Sequence, residues 1–373
     1  MDLSKCQCEN AGFCPAFRRQ MDEKNHHWCQ TTTEEKRAGY YKNTSTNYYK
    51  QKNYISTVIS KYDIPHKYYI PDNIDEIEIV TVHFNPSGSE RLKQTYDEWI
   101  HSLGVLGKYV KCYEIVFDGR KPEIRNSIVI NGTLEKNCLW QKEALINLAF
   151  KNIPNNKKYF AWIDHDLVFD NPYWLVDSIK EIDSGVDAVQ LFDEVIYLDR
   201  TGKNIHSSIS RAFKKQNENL NYKSRNSHGC PGGAWIANVK RMKYCFPIPS
   251  IIIGSGDEWL AYGFYCTEKL SKPMQDQLDI YSKDVKDSLL KYLKAICKMN
   301  IKTSFVQGKV FHLWHGDVQN RQYTTRHQIM EKHNFHPKKD VFINENGILE
   351  LTGNNPGIEK DLLNYFKERK EDG

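Results

Sequence analysis

Two carboxylates and two imidazoles in this sequence have the types and the spacing of metal ligands. Asp164 and Asp166 stand one residue apart in FAWIDHDLVFD, directly after an aromatic and aliphatic run that is typical of a buried strand. His312 and His315 stand three residues apart in TSFVQGKVFHLWHG, where a second apolar run ends. Carboxylate oxygens bind hard divalent cations, and imidazole nitrogens shift the preference from magnesium toward manganese or zinc. The alternative for the two aspartates is a surface turn, because Asp is common in turns and caps.

An acid pair in a glycine-rich loop adds a second kind of chemistry. In IIIGSGDEWLAYGF, Asp257 and Glu258 follow Gly-Ser-Gly and precede a helical pattern. Either acid is a candidate general base, a group that must come within hydrogen-bond reach of the proton it removes. Lys142 and Arg321 are candidates for binding phosphate oxygens, since cationic donors make strong hydrogen bonds to phosphate.

Alternating strand and helix patterns position these residues. A strand over 77–84, a helix over 89–106 and a strand over 109–117 predict a parallel crossover. The pattern continues with a strand over 127–130, a helix over 139–153 and a strand over 159–166. In open α/β sheets, ligands bind outside the carboxyl ends of the strands. We therefore expect Asn85, Pro86, Asp164 and Asp166 to lie on one rim.

The rest of the chain is predicted to complete this unit. Gly232 and Gly233 allow close approach to the backbone just before a strand over 234–237. The other predicted elements are a strand over 186–199, a loop through 226, a helix over 283–299, a last core strand over 303–316, and a surface helix with a frayed tail over 354–373.

The first seventy residues differ in composition from the rest. Cys6, Cys8, Cys14 and Cys29 lie in a segment too small to bury a core, which suggests a knuckle held by Zn²⁺, with free cysteines in an exposed arm as the alternative. Tyrosines among Lys, Asn and Thr over 40–69 predict an irregular connector. We therefore divide the chain into a Cys-rich segment over 1–70, a main domain over 71–353 and a charged tail over 354–373.

Composition narrows the class of protein. The 373 residues are 40% hydrophobic and 27% charged, which is ordinary for a soluble globular chain. No apolar run approaches the roughly 18 residues of a membrane span, and MDLSKCQCEN lacks the apolar segment of a signal peptide, so we expect a cytoplasmic protein without a membrane partner. A net charge of +5 is too weak a bias to indicate nucleic-acid binding.

Several of these motifs resemble metal-dependent glycosyltransferases of the GT-A fold, most closely the β-1,4-galactosyltransferase type. The resemblance rests on the D-x-D after a strand and on the segments WQKEALINLAF, PGGAWIANVKRM, GSGDEWLAY and FHLWHGDVQNRQY. The chain also resembles a family of predicted bacterial and viral glycosyltransferases that share FNP, LWQKE, the aspartate pair and HLWHG. Together these motifs span about residues 77–350. The resemblance implies a Rossmann-like, mixed α/β sheet flanked by helices that binds a nucleotide-diphosphate sugar.

The same resemblance implies roles for individual residues. Asp166 would be a direct ligand of Mn²⁺ or Mg²⁺, and Asp164 would contact the donor ribose or a metal-bound water. His312 and His315 would complete the metal site, although the family has a methionine where this chain has His312. The other donor-binding residues implied are His83, Phe84, Asn85, Pro86 and Asn147.

The residues and the resemblance together predict an inverting glycosyltransferase that moves a sugar from a UDP donor to a hydroxyl acceptor. A loop acid on the acceptor side implies a single displacement, so an α-linked donor gives a β-linked product. Two alternatives stay open: a nucleotidyltransferase or other sugar-nucleotide enzyme, and a nucleic-acid-binding adaptor built on an inactive fold. The acceptor also stays open among a glycan, a protein side chain, a small metabolite and a hydroxymethylated base in DNA.

Overall fold

The computed structural model describes residues 46–217, 229–242, 250–266, 270 and 272–373, with side chains from residue 54 onward except at residue 273. The chain divides into two units, Met1–Asn53 and Tyr54–Gly373. The four N-terminal cysteines, Cys6, Cys8, Cys14 and Cys29, lie outside the described residues, so their binding of zinc stays a prediction.

The described part of the chain is built of short strands and helices. The strands are β1 (Ile77–Phe84), β2 (Val110–Phe117), β3 (Ile128–Gly132), β4 (Tyr159–Ile163), β5 (Leu167–Phe169), β6 (Ala188–Gln190), β7 (Glu194–Leu198), β8 (Asn204–Ile209), β9 (Ala234–Asn238), β10 (Thr303–Phe305), β11 (Lys309–His312), β12 (Val341–Ile343) and β13 (Leu349–Leu351). The helices are α1 (Thr46–Tyr62), α2 (Glu90–Ser102), α3 (Leu134–Asn137), α4 (Lys142–Lys151), α5 (Trp174–Asp183), α6 (Arg211–Gln216), α7 (Val239–Met242), α8 (Gly256–Tyr265), α9 (Lys272–Ile280), α10 (Lys283–Cys297), α11 (Gln328–Lys332) and α12 (Ile358–Glu368). Within the described ranges, none of these helices is long and apolar enough to cross a membrane.

A seven-stranded mixed sheet forms the centre of the second unit, in the order β10-β6-β9-β4-β1-β2-β3. β1 runs parallel to both β2 and β4, as a strand-helix-strand crossover requires. β9 runs antiparallel to both of its neighbours, β4 and β6. The predicted mixed α/β sheet flanked by helices is confirmed.

Helices cover both faces of this sheet. On one face, Ile79 of β1 belongs to a core that includes Trp99 of α2 and Trp174 of α5. On the other face, Phe160 of β4 belongs to a core that includes Leu145 of α4. Because both faces are buried, the central strands are nearly continuous apolar runs, which explains why β1 and β4 can be recognised in the sequence.

A second sheet, in the order β5-β11-β7-β8, corrects two strand predictions. Residues 186–199 form β6 and β7, and residues 303–316 form β10 and β11; in both cases the two strands belong to different sheets. Gly308, with φ +136, lies at the second break, where its missing Cβ leaves room for the side chains of Asp170 and Asn171. The apolar pattern continues on both sides of each break, so it does not reveal the change of sheet.

Two segments expected to be irregular contain regular structure. The predicted connector over 40–69 includes helix α1, and the predicted loop through 226 includes β8 and α6. The polar composition of the segment before residue 226 suggested a loop, but β8 lies at the edge of its sheet, where outward-facing side chains need not be apolar.

The last segment of the chain, expected to be a surface helix with a frayed tail, packs one face of its helix and two residues of its tail into the protein. Helix α12 places Leu362, Tyr365 and Phe366 in a hydrophobic core. Beyond the helix, Arg369 and Glu371 are only 6% and 5% exposed. Arg369 donates from Nε and Nη2 to Oε1 of Glu371, so the two charges are buried as a pair.

A buried ion pair joins α2 to the segment that follows β11. Arg91 donates from its two terminal nitrogens to the carboxylate of Glu98, at 3.0 and 2.7 Å. Its Nε donates to the carbonyl oxygen of Trp314 at 2.7 Å. Burial raises the pKa of Glu98, and Arg91 opposes that shift. The pair therefore holds the backbone directly before His315.

Replacing Arg91 with Met should lower the free energy of unfolding by about 3–5 kcal/mol, because Glu98 is left buried without its partner. Chemical denaturation measures this loss. The exposed pair between Lys180 and Asp177 provides the control, since Lys180→Met should cost no more than about 1 kcal/mol. Equal stability losses in the two variants would contradict the role given to the buried pair.

Candidate active site

A cavity of about 550 Å³ opens at the ends of β1, β4 and β11, within the usual size range of ligand sites. Most of the site residues predicted from the sequence line it. Those that do are His83, Phe84, Pro86, Lys142, Asp164, Asp166, Gly232, Gly233, Asp257, Glu258, His312, His315 and Arg321.

Strand pairing brings Asp166 beside the two histidines. β5 and β11 are antiparallel with His312 opposite Leu167, and the N–H of Leu313 donates to the carbonyl of Asp166 at 2.7 Å. Oδ2 of Asp166 lies 2.9 Å from Nε2 of His315 and 3.3 Å from Nε2 of His312. One ligand atom from each of the three residues lies within 4.8 Å of the other two. We call Asp166, His312 and His315 the Asp-His-His cluster.

The donor set of this cluster fits a divalent cation. Burial alone would raise the pKa of Asp166, but His312, His315 and Arg321 outweigh it and hold that pKa well below its usual range, so the carboxylate is ionised. Oδ1 of Asp166 is buried without a hydrogen-bond partner among the described residues. Burial lowers the pKa of His312 to about 3, which keeps the ring in the neutral form that binds metals. One carboxylate with two imidazoles suits manganese or zinc better than magnesium.

Arg321 lies against the same cluster. Its Nη1 is 3.1 Å from Nε2 of His312, and its Nη2 is 3.0 Å from Nε2 of His315. The Nε2 atoms of both rings therefore face the centre of the cluster, toward the Asp166 carboxylate and the guanidinium. Nε2 is thus the ring nitrogen that each histidine would offer to a cation.

The first aspartate of the D-x-D has a different partner. Oδ1 and Oδ2 of Asp164 lie 2.7 and 2.8 Å from Nζ of Lys142, the first residue of α4. The same Nζ lies 4.0 Å from Oδ2 of Asp257. Burial would lower the pKa of Lys142, but Asp164 and Asp257 outweigh it, so the ammonium stays charged. Asp164 thus lies on the cavity but outside the Asp-His-His cluster.

Helix α8 carries the acid pair in its first turn, where the helix dipole favours carboxylates. A Cβ on Gly232 would overlap the carboxylate of Asp257, so glycine is needed for this approach. Nη2 of Arg211 donates to Oε1 of Glu258 at 2.6 Å. Burial raises the pKa of Glu258, and Arg211 opposes the shift. Asp257 is the more accessible acid, with 37% of its side chain exposed against 22% for Glu258.

Two predicted donor-binding residues, Asn85 and Asn147, do not line the cavity. Asn85 accepts the N–H of Ser89 at 2.9 Å and donates to the Ser89 carbonyl at 2.8 Å, so its amide closes the turn before α2. Asn147 lies five residues beyond Lys142 on α4, nearly one and a half turns along the helix. Their binding of a donor stays a prediction.

Several cavity residues were not foreseen from the sequence. They are Trp140, Glu143, Tyr197, Cys230, Arg326, Arg369 and Glu371. Glu143 packs against the start of α8, where a Cβ on Gly256 would overlap its carboxyl group, and burial raises its pKa to about 8. The position of Glu143 directly after Lys142 was the one sequence feature that could have indicated its place in the cavity. No sequence feature indicated the positions of Arg369 and Glu371, because a charged segment such as theirs is typical of a solvent-exposed tail.

Comparison with solved structures finds distant likenesses. The catalytic domain of Drosophila β-1,4-galactosyltransferase 7 in complex with xylobiose is 10% identical, covering 76% of this chain and 98% of that chain, at a TM-score of 0.32. A mutant of that enzyme in complex with manganese, UDP-Gal and xylobiose is 11% identical with the same coverage, at a TM-score of 0.33. The 4-diphosphocytidyl-2C-methyl-D-erythritol synthase of Anaerococcus prevotii is 9% identical, covering 64% of this chain and 90% of that chain, at a TM-score of 0.28.

A scan against protein-family models and a search of the curated proteins give no match. The structural likenesses have low identities and low TM-scores, so they do not assign a role to any residue. The functional assignment therefore depends on the geometry of the cavity and on the motifs of the sequence.

Manganese should raise the melting temperature of the protein by a few degrees, because a ligand at about 100 times its Kd stabilises the folded state by about 2.7 kcal/mol. Asp166→Asn and His315→Gln should abolish the shift, since each removes a ligand of the Asp-His-His cluster. His66→Gln, at an exposed histidine away from the cavity, should keep it. Thermal unfolding with and without Mn²⁺ measures the shift, and an undiminished shift in both cluster variants would place the metal elsewhere.

Proposed function

We propose that this chain is a metal-dependent, inverting glycosyltransferase that moves a sugar from a nucleotide-diphosphate donor to a hydroxyl acceptor. The observation that carries the proposal is the convergence, in one cavity, of the Asp-His-His cluster, the Lys142–Asp164 pair and the loop acid Asp257. The D-x-D and the other motifs that resemble GT-A enzymes lie around the same cavity. By that resemblance the donor is a UDP-sugar and the metal is Mn²⁺.

The charge of the cavity supports a donor that binds together with a cation. Its acidic side chains are Glu143, Asp164, Asp166, Asp257, Glu258 and Glu371, and its basic ones are Lys142, Arg321, Arg326 and Arg369. Counting histidines as neutral, the cavity has a formal excess of two negative charges. The excess falls to one if Glu143 is protonated, which its pKa of about 8 favours at neutral pH. An anionic diphosphate would meet net repulsion here unless a divalent cation entered the cavity as well.

The residues of the chain then divide into groups with separate tasks. Asp166, His312 and His315 would hold the cation, which supplies Lewis-acid stabilisation of negative charge on the diphosphate leaving group. Lys142 and Arg321 are cationic donors that line the cavity and would bind phosphate oxygens. Asp164, paired with Lys142, would orient that ammonium and contact the donor ribose.

Asp257 is the better placed of the two acids to act as the general base. Its carboxylate is the more exposed one and lies on the cavity beside Gly232. Glu258 is held by the ion pair with Arg211, so its carboxylate would need to leave that partner to accept a proton. In this assignment Asp257 removes the proton of the acceptor hydroxyl, and Glu258 anchors the first turn of α8 through Arg211.

Incubation with UDP-sugars and Mn²⁺ should release UDP, and chelation of the metal should stop the release. Because one loop acid activates the acceptor for a single displacement, the product should carry a β linkage when the donor is α-linked. Chromatography of the nucleotide and NMR of the anomeric proton measure the two outcomes. An α-linked product would contradict inversion, and release of pyrophosphate would favour the nucleotidyltransferase alternative.

Asp257→Asn should lower the transfer rate by about 10²- to 10⁴-fold, the usual contribution of a general base, while the donor Kd should change far less, through the loss of the 4.0 Å contact with Lys142. Glu258→Gln should instead lower thermal stability, because it weakens the buried pair with Arg211, and should reduce the rate less. Single-turnover rates, donor Kd values and melting temperatures separate the two effects. The reverse ranking of the rates, with both variants folded, would assign the base to Glu258.

A further inference from the structure

The segment after α12 lies against the Asp-His-His cluster. Oε1 of Glu371 is 3.4 Å from Nδ1 of His315, and their side chains are 4% and 6% exposed. Within the described residues, Nδ1 of His315 is buried and has no hydrogen-bond partner, so the Glu371 carboxylate lies beside it at ion-pair distance without a formed hydrogen bond. A buried carboxylate thus faces the ring nitrogen of His315 that points away from the cluster.

Independent contacts fix the position of this carboxylate. Arg369 donates to Oε1 of Glu371 from Nε at 2.9 Å and from Nη2 at 2.7 Å. The next residue, Asp372, accepts hydrogen bonds from the Ser89 hydroxyl and from the N–H of Arg91, both at 2.8 Å, so the segment is tied to the start of α2. These contacts hold Glu371 in place without help from His315.

The loop that carries His315 is shaped to receive this segment. Gly316 has φ +81, and a Cβ at this position would come within 2.9–3.0 Å of backbone atoms of residues 369–371. A side chain would therefore push the segment away from His315 and would also strain the loop. The glycine directly after a candidate metal ligand allows the two backbones to meet.

The orientation of the His315 ring completes the argument. Its Nε2 faces Asp166 at 2.9 Å and Arg321 at 3.0 Å, so Nε2 is the nitrogen that would bind a cation. An imidazole that binds a metal through Nε2 carries its proton on Nδ1, the nitrogen beside Glu371. We propose that Glu371 is a positioning residue of the metal site, which accepts Nδ1–H of His315 and so holds Nε2 toward the cation. This inference rests on the proposed function, because it concerns the same metal site. It gives a role to a C-terminal segment whose charged sequence is typical of a solvent-exposed tail.

A purely structural role for Glu371 makes a different prediction. If the carboxylate served only to neutralise Arg369, its removal would lower stability but leave the intrinsic affinity for the metal unchanged. If it positions His315, its removal weakens metal binding in the folded protein. Carboxylate partners of metal-binding histidines typically contribute 10- to 100-fold in metal affinity.

The test is a Mn²⁺ titration of the full-length protein, with free Mn²⁺ measured by electron paramagnetic resonance. Glu371→Ala should weaken the Kd for Mn²⁺ by about 10- to 100-fold. Glu371→Gln keeps an acceptor but removes the charge, so its loss should be smaller. Glu368→Gln, at the exposed last residue of α12 that accepts a hydrogen bond from Gln322, is the matched control and should leave the Kd unchanged. Circular dichroism identifies the folded variants.

The results separate this inference from the proposed function. A weaker Kd in the Glu371 variants supports the inference even if no sugar donor is turned over, an outcome that would overturn only the proposed transfer reaction. A wild-type Kd in folded Glu371→Gln and Glu371→Ala overturns the inference and leaves the transferase proposal standing. If the wild-type protein binds no Mn²⁺, both are overturned. In a working enzyme, saturating Mn²⁺ should restore kcat in the Glu371 variants, which a general packing defect would not allow.

Discussion

The geometry of the site depends on the antiparallel pairing of β5 with β11. After Ile163 the chain leaves the large sheet, passes through Asp164 and Asp166, and enters the second sheet at Leu167. The register that sets His312 opposite Leu167 brings the backbone of Asp166 to Leu313. A shift of one residue would turn the His312 side chain to the other face of its sheet. The Asp-His-His cluster is therefore a consequence of strand register, which the apolar strands on both sides enforce.

Charge inside the cavity is tolerated because the buried acids have cationic partners. Lys142 pairs with Asp164, Arg211 with Glu258, and Arg369 with Glu371. An unpaired buried charge would cost several kcal/mol of folding free energy. The main effect of each pair is therefore to offset the cost of burying its acid, and its net contribution to stability is small. Asp257 is the acid with the freest access to the cavity. That difference separates the groups that shape the site from the group proposed to react.

The sequence predicted the elements that are buried on both faces and the residues at their ends. β1, α2, β2, α4, β4 and β9 could be recognised because their apolar patterns are long, and the D-x-D and His-x-x-His motifs lie directly after strands. The change of sheet within 186–199 and 303–316 could not be seen, since it depends on hydrogen bonding between distant segments. Arg369 and Glu371 were missed for a related reason. Their burial follows from pairing with each other and with His315, and a charged pattern alone resembles a solvated tail.

The D-x-D motif is best understood as two separate sites that share a turn. Asp166 faces two imidazoles and Arg321, whereas Asp164 faces Lys142, which also lies 4.0 Å from Asp257. Two carboxylates this close repel each other, and each is stabilised by its own cation on its own side. Lys142 thereby links Asp164, the proposed donor contact, to Asp257 of α8. A ligand that draws Lys142 toward its phosphates would loosen the hold on both Asp164 and Asp257, so donor binding and the state of the proposed base are coupled through one ammonium group.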